Sequence, residues 1–218
     1  PVFQEALKGG EIADELLPHL GGFNILYAGN IGEAQDFPAI LEAAEALRDY
    51  PDIRWILIGE GRTTDWVRAE IDRRGLTDRV VLLGRFPLER MPQFFLGAQA
   101  LLVSLRKDPI FSMTIPGKVQ SYLAAGIPLL GMLDGEGARV IEESGGGLVA
   151  PAGAGRELAR KALQLTQLSL EDRLAMGESG RAYCLREFAP EALLSTLESL
   201  MAHNRSQPLQ PKRLPSRP

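Results

Sequence analysis

The chain has 218 residues, 45% of them hydrophobic and 24% charged, which is enough to bury a substantial core and suits one domain or at most two small ones. Its formal charge of -4 argues against a sequence-independent grip on nucleic acid, because that needs a basic face to displace phosphate counterions. A single cysteine, Cys184, excludes an internal disulfide framework, and two histidines, His19 and His203, offer no clustered zinc ligands, so no metal is expected. No apolar run approaches the roughly 20 residues that span a bilayer, and the N-terminus lacks the pattern of a signal peptide. A soluble, cytoplasmic protein is the expectation.

Residues 1–22 read as a helix, to Leu20, leading into a first strand. Five short runs rich in branched apolar residues follow: Phe23–Ala28, Ile53–Ile58, Val80–Leu83, Ala100–Val103 and Pro128–Met132, each of strand length. Between them, helical spacing runs over Asp36–Asp49, Thr64–Arg74, Glu89–Ala98 and Gly117–Ala125. Asp36 stands where a helix N-cap belongs, with Pro38 in the first turn. Alternation of helices with strands too uniformly apolar to have a wet face predicts an α/β fold: a Rossmann-like parallel sheet with helices on both faces. Gly147–Val149 reads as a short sixth strand, and three helices complete the domain: Ala154–Leu168, Leu170–Phe188 and Pro190–His203. Cys184 falls in the second of these as a packed or half-exposed thiol. The domain spans 23–203. Residues 204–218 carry four prolines and almost no aliphatic side chains, the composition of a disordered tail.

In open α/β sheets ligands bind beyond the carboxyl ends of the strands, and here those ends are rich in glycine. The first strand runs into Gly29-Asn30-Ile31-Gly32-Glu33-Ala34-Gln35, the second into Gly59-Glu60-Gly61, and the third into Gly84-Arg85-Phe86-Pro87. The fifth leads to Asp134-Gly135-Glu136-Gly137. Each alone is more often a tight turn; their convergence on one edge favours a site. The G-x-G-x-x-G fingerprint is absent, and Gly117-Lys118 is followed by Val119 rather than the hydroxyl that would hold magnesium in a P-loop. An ordinary dehydrogenase or NTPase is therefore excluded.

The sharpest local signal is TIPGKVQSYLAAGIP, residues 114–128. It reads as a loop, a short helix opened by Pro116-Gly117 and stopped by Gly126, then a strand. Lys118 in the first turn opposes the helix dipole at a cost of roughly 0.3–1 kcal/mol. A bound anion would reverse that sign, so Lys118 with the adjacent N–H groups is read as a pyrophosphate seat. The plain alternative is a lysine that swings into solvent.

At these residues the sequence resembles the C-terminal domain of the group-1 glycosyltransferases, retaining enzymes of two-domain GT-B architecture that use nucleotide-sugar donors. The resemblance runs from about Phe23 to Met201. It is carried by LYAGNIGEAQDF, WILIGEG, GLTDRVVLLGRFPLERMPQFF, TIPGKVQSYLAAGIPLLGMLDGEGARVIEESGGGLV and AMGESGRAYCLREF. Its flavour is that of the subgroup building bacterial surface polysaccharides and lipopolysaccharide, including transferases of N-acetylated 6-deoxy sugars from UDP donors. The resemblance implies a nucleotide-sugar donor, a saccharide or lipid-linked acceptor held by an N-terminal domain outside this chain, no metal, and a hexosyl transfer in which Lys118 is catalytic. It also allows peripheral membrane association of a full-length enzyme. The implied donor contacts are Gly29, Asn30, Gly32, Gln35, Gly59, Glu60, Arg85, Phe86, Gly117, Ser121, Gly135, Glu136 and Gly137. Gly29 and Gly32 would shape the phosphate loop, Arg85 and Phe86 would flank the base, and Gly135 to Gly137 would approach the sugar.

Two departures weigh against a full donor site. Where many members carry the acids of an E-x7-E motif, this chain has Met113 and Ser121; where many carry Arg and Lys in the first loop, it has Asn30 and Gln35. Either Lys118, helped by Arg106 or Lys107, then carries the phosphate charge, or the domain binds its donor weakly. Two alternatives stay open: an epimerase of the same architecture, for which Glu60 and Glu136 are the only obvious cleft acids, and a non-enzymatic assembly module retaining the fold.

Overall fold

The computed structural model describes residues 10–188. The helix read over 190–203, the domain end at 203 and the tail over 204–218 lie outside the described residues, as does the start of the N-terminal segment. What is described of that segment is a single 3-10 stretch, Asp14–His19, in place of the expected α-helix. Pro18 lies inside it and has no N–H to continue an α-helical ladder. The stretch still packs onto the domain, with Leu16 fully buried.

Six strands, β1 (Phe23–Ala28), β2 (Ile53–Ile58), β3 (Val80–Gly84), β4 (Ala100–Ser104), β5 (Leu129–Met132) and β6 (Gly147–Ala150), form one sheet in the order β3-β2-β1-β4-β5-β6. All five neighbouring pairs run parallel, as the predominantly apolar runs predict. Central strands β1, β4 and β5 are buried at every position, whereas the edge strands β3 and β6 are partly exposed. The order is that of a doubly wound sheet, whose connections reverse direction between β1 and β4.

The helices are α1 (Phe37–Ala46), α2 (Thr64–Arg74), α3 (Met91–Phe95), α4 (Pro109–Ser112), α5 (Gly117–Ala125), α6 (Glu136–Glu143), α7 (Gly155–Gln167) and α8 (Leu170–Glu187). Strand alternation sorts the core into two layers. Ile25, Tyr27, Trp55 and Leu57 face α1, α2 and α7, while Leu26, Ala28, Ile56 and Ile58 face α3 and α5 together with Val140 and Ile141 of α6. Cys184 of α8 is half-buried with its Sγ on the Gln120 carbonyl, and burial raises its pKa, the mark of an unreactive thiol.

Several elements differ from the sequence reading. Helix α1 ends at Ala46, and Asp36 stands at its N-cap position in a left-handed conformation (φ 53°) without a side-chain capping bond. The expected helix Glu89–Ala98 is a 3-10 turn, Leu88–Arg90, followed by α3 with Pro92 in its first turn. Helix α4, capped by Asp108 through the Ile110 N–H, is too short to show a period. Helix α6 was hidden by the glycines of DGEG, which lower helix propensity, although Gly137, Val140 and Ile141 bury one face of it.

The two tryptophans test the layer assignment. Trp55 is 1% exposed and Trp66 43% exposed; Trp55→Ala should lower unfolding free energy by about 3–5 kcal/mol, and Trp66→Ala by less than about 1 kcal/mol. Urea denaturation of both variants measures the contrast.

Candidate functional site

A cleft of about 1280 Å³ opens at the carboxyl edge of the sheet, beside the point where the strand order reverses. Its floor is the loop after β1 (Gly29, Asn30) and the loop after β2 (Gly59, Glu60); one wall is the loop after β3 with Arg85 and Phe86, and the other is the first turns of α5 with Gly117, Lys118 and Ser121. Nine of the residues singled out from the sequence therefore line one space. The volume exceeds the roughly 300–1,000 Å³ usual for a small-ligand pocket, and Leu88, Met91 and Phe95 give part of its wall an apolar character.

The floor is tight because two backbones cross there. A Cβ at Gly59 (φ 137°) would overlap the Gly29 carbonyl, and one at Gly29 would overlap Nζ and Cε of Lys118. Glycine is needed at both positions for close approach. Across that gap Lys118 extends its side chain: Nζ donates to the Tyr27 hydroxyl at 2.7 Å and lies 4.1 Å from the Tyr27 ring centroid. Tyr27 in turn donates to the Asn30 carbonyl at 2.5 Å. The lysine thus does not swing into solvent. Burial pulls its pKa down to about 8, and no carboxylate pairs with it among the described residues.

Tyr122, one helical turn beyond Lys118 on the same face of α5, grips the end of β1. Its hydroxyl donates to the Ala28 carbonyl at 3.0 Å and accepts from the Ala28 N–H at 3.2 Å. Phe86 is set by stacking on Phe94 at 4.7 Å and by the Arg90 guanidinium 5.1 Å from its ring. A bidentate pair to Glu15, 2.8 Å for each bond, fixes Arg90. Ser121 turns its hydroxyl proton onto the Gly117 carbonyl at 3.1 Å, which leaves its oxygen free only to accept.

The remaining singled-out residues do not line the cleft. Gly32 is buried beneath Asn30 and Gln35, and Gln35 lies behind the loop, its backbone carbonyl accepting from Ser104 Oγ at 2.8 Å. Gly135 packs against the Ser112 backbone, Gly137 against Leu133 and Pro116, and Glu136 pairs with Arg139 at 2.7 Å. The two glycines pack against the segment that enters α5, whereas the Glu136 pair lies on the exposed face of α6. Nor do Arg106 and Lys107 reach the cleft; Arg106 is turned to Asp108 at 3.6 Å and to the Phe111 ring. Missed from sequence were Tyr27 and Tyr122, which read as core aromatics. The available signal was a phenol next to the end of β1 and another four residues after Lys118.

With this geometry in hand, comparison with known proteins identifies the class. The family described as "Glycosyl transferases group 1" matches residues 22–167. The chain belongs to that family, as a domain of its C-terminal type. Over 105 residues it is 32% identical to WcaI of Escherichia coli K12, described as a colanic acid biosynthesis glycosyl transferase, covering 47% of this chain and 24% of WcaI. Among solved structures, a glycosyltransferase of Rickettsia africae superimposes with a TM-score of 0.73 at 13% identity, covering 95% of this chain and 55% of that one. HepE of Anabaena, solved with UDP and glucose, gives 0.70 at 15% identity, covering 95% and 53%. The C-terminal domain of LpcC, a group-1 glycosyltransferase of Francisella tularensis, gives 0.65 at 16% identity, covering 84% of this chain and 98% of that domain. At these identities the structural likeness establishes the fold. The chain spans a quarter of the curated relative, about half of two solved neighbours, and nearly all of the isolated domain.

The depressed Lys118 pKa has a pH signature. Between about 8 in the folded protein and 10.5 for an ordinary lysine, the unfolded chain holds more protons, so stability rises with pH across that window. Relative to Lys118→Met, the wild-type protein should therefore gain stability from pH 8 to pH 10, measured as urea midpoints at each pH.

Proposed function

We propose that this chain is the donor-binding domain of a glycosyltransferase that moves a hexosyl group from a nucleoside-diphosphate sugar, UDP being the favoured carrier, to a saccharide or lipid-linked acceptor in bacterial surface polysaccharide synthesis. Family membership supports the transfer chemistry. The WcaI relative, described as acting in colanic acid biosynthesis, supports the polysaccharide setting, and the UDP held by HepE supports the carrier. One observation carries the reading: a half-buried ammonium, without a carboxylate partner among the described residues, sits in the first turn of the nine-residue helix α5, at the cleft beside the strand reversal.

Each group then has a task. Cleaving the anomeric bond leaves negative charge on the departing diphosphate, and a preplaced cation with helix N-terminal N–H groups stabilises that charge without reorganising. Lys118 and the N–H groups of Gly117 and Lys118 supply this, and no resident metal enters the reading. Gly29 leaves the space through which Lys118 reaches over the end of β1 and Gly59 lets the two loops of the floor close together, while Phe86 and Arg85 offer a stacking face and a cation to the nucleoside. Glu60 stands where sugar or ribose hydroxyls would find an acceptor. Gly32, Gln35, Gly135, Glu136 and Gly137 are assigned an indirect part, shaping the loops behind the contacts. The acceptor belongs to a partner domain, the full-length enzyme working at the cytoplasmic side of the membrane, so this domain alone should bind donor yet transfer little. Among the described residues no helix is long and apolar enough to cross a membrane.

Calorimetric titration with UDP and GDP tests the reading. Saturable binding of one diphosphate is expected, weakened roughly 10–100-fold by Lys118→Ala, as for a lost charged hydrogen bond. The affinity should also fall as pH rises through about 8, where the free ammonium deprotonates. Absence of binding to either diphosphate would sink it in favour of an assembly module.

A further inference from the structure

We propose that Tyr27 is the positioning residue of this site, holding the Lys118 ammonium in place over the end of β1 before any ligand arrives, so that the cation is presented to a phosphate already oriented. The inference rests on the phosphate reading of the cleft and adds to it how the cation is aimed.

The two residues come from opposite layers. Tyr27 packs its ring edge-on against Phe37 of α1, centroids 5.4 Å apart, whereas α5 lies on the other face of the sheet with Val119, Tyr122 and Leu123. Lys118 reaches Tyr27 only by passing over Gly29, through space that any side chain there would fill. The phenol oxygen receives one ammonium hydrogen and gives its own to the Asn30 carbonyl. One side chain thereby fixes both the cation and the backbone of the loop beneath it. An ammonium has three donors; with one on Tyr27, two remain for a ligand in the cleft that Lys118 lines. A free lysine would lose most of its rotamer freedom on gripping a phosphate, and the contact with Tyr27 restricts that freedom beforehand.

The titratable groups around Lys118 make its protonation readable. Tyr27 and Tyr122 are both pushed upward, chiefly by burial, and stay protonated across the working range. Glu60 and Arg85 complete the ionisable lining of the cleft. A hydrogen bond from the charged amine to Tyr27 favours the charged form, so its removal has a predictable direction.

The experiment follows the Lys118 Cε resonance by NMR in lysine-labelled protein, from pH 6.5 to 10.5, in the wild type and in Tyr27→Phe, with and without UDP or GDP. In Tyr27→Phe without ligand the Lys118 midpoint should fall further, by at least about half a pH unit; an unchanged midpoint overturns the proposal whatever the ligand does. With UDP the wild-type midpoint should rise, and Tyr27→Phe should bind roughly three- to tenfold more weakly. In a Lys118→Met background the same Tyr27→Phe change should alter affinity less than about twofold. An equal loss in both backgrounds would mean that Tyr27 acts only through the Asn30 loop, and would also overturn the proposal. A shifted midpoint in Tyr27→Phe with no Lys118 response to either diphosphate refutes the phosphate reading itself, and the positioning role falls with it. Should Tyr27→Phe not fold, the labelled Tyr27 Cζ resonance of the wild type replaces it, and must move as Lys118 titrates.

Discussion

Burial of β1 on both faces is the constraint from which the rest of the molecule follows. All six of its residues are buried, and its backbone pairs with β2 on one side and β4 on the other. A strand so enclosed must be mostly apolar in both registers, its buried Asn24 being hydrogen-bonded to the His19 and Gly97 carbonyls, and must lie at the centre of a sheet with helices above and below. The chain therefore winds outward from β1 first through β2 and β3, then in the other direction through β4, β5 and β6. Loops leaving neighbouring strands part company at that reversal, and the gap between them is the cleft. The site is a consequence of topology before it is a consequence of any side chain.

The polar residues near the end of β1 deal with a problem that the apolar interior creates. Lys118 is drawn into a poorly solvated place, which lowers its pKa and opposes the dipole of its own helix. The protein tolerates this because Tyr27 accepts one hydrogen of the amine and the rest of the head borders the cleft. At Lys118 a local rule of helix charge is broken beside the cleft proposed for the diphosphate, and such violations are expected at functional sites more than elsewhere. By contrast, the many arginine–glutamate pairs on the helices, such as Arg73–Glu70 and Arg139–Glu136, follow the ordinary i,i+3 spacing at the surface. Pairs of that kind add little stability. They keep the outer helix faces charged and leave Lys118 as the unusual cation.

Glycines make the same distinction in the backbone. Gly29 and Gly59 lie where one main chain crosses another under the cleft, and each leaves room that a side chain would close. Gly135 and Gly137 are equally intolerant of a side chain, yet what they meet is the Ser112 backbone, Leu133 and Pro116. Their work is packing, against α4 and the entry to α5.

Much of this was legible in the sequence, and the reason is periodicity. Predominantly apolar runs are best satisfied by strands covered on both sides, so the parallel α/β sheet followed from Phe23–Ala28 and its counterparts. The ordered motif blocks carried the family. Pro116, Gly117 and Gly126 marked a helix whose first turn carries Lys118, because start and stop signals act through local backbone geometry. What lies across the chain could not be read that way. The phenols of Tyr27 and Tyr122 are indistinguishable in sequence from packed aromatics, since their hydrogen bonds run to Lys118 and Ala28, 91 and 94 residues away in the chain. Helix α6 is concealed because Gly137 in its first turn, which weakens helix propensity, is accepted only where tertiary packing supports it. Sequence alone determined which elements form and which edge is glycine-rich; the tertiary structure decided which glycines face the cleft, which serve packing, and where the buried ammonium is held, because those outcomes depend on contacts between layers that no local pattern encodes.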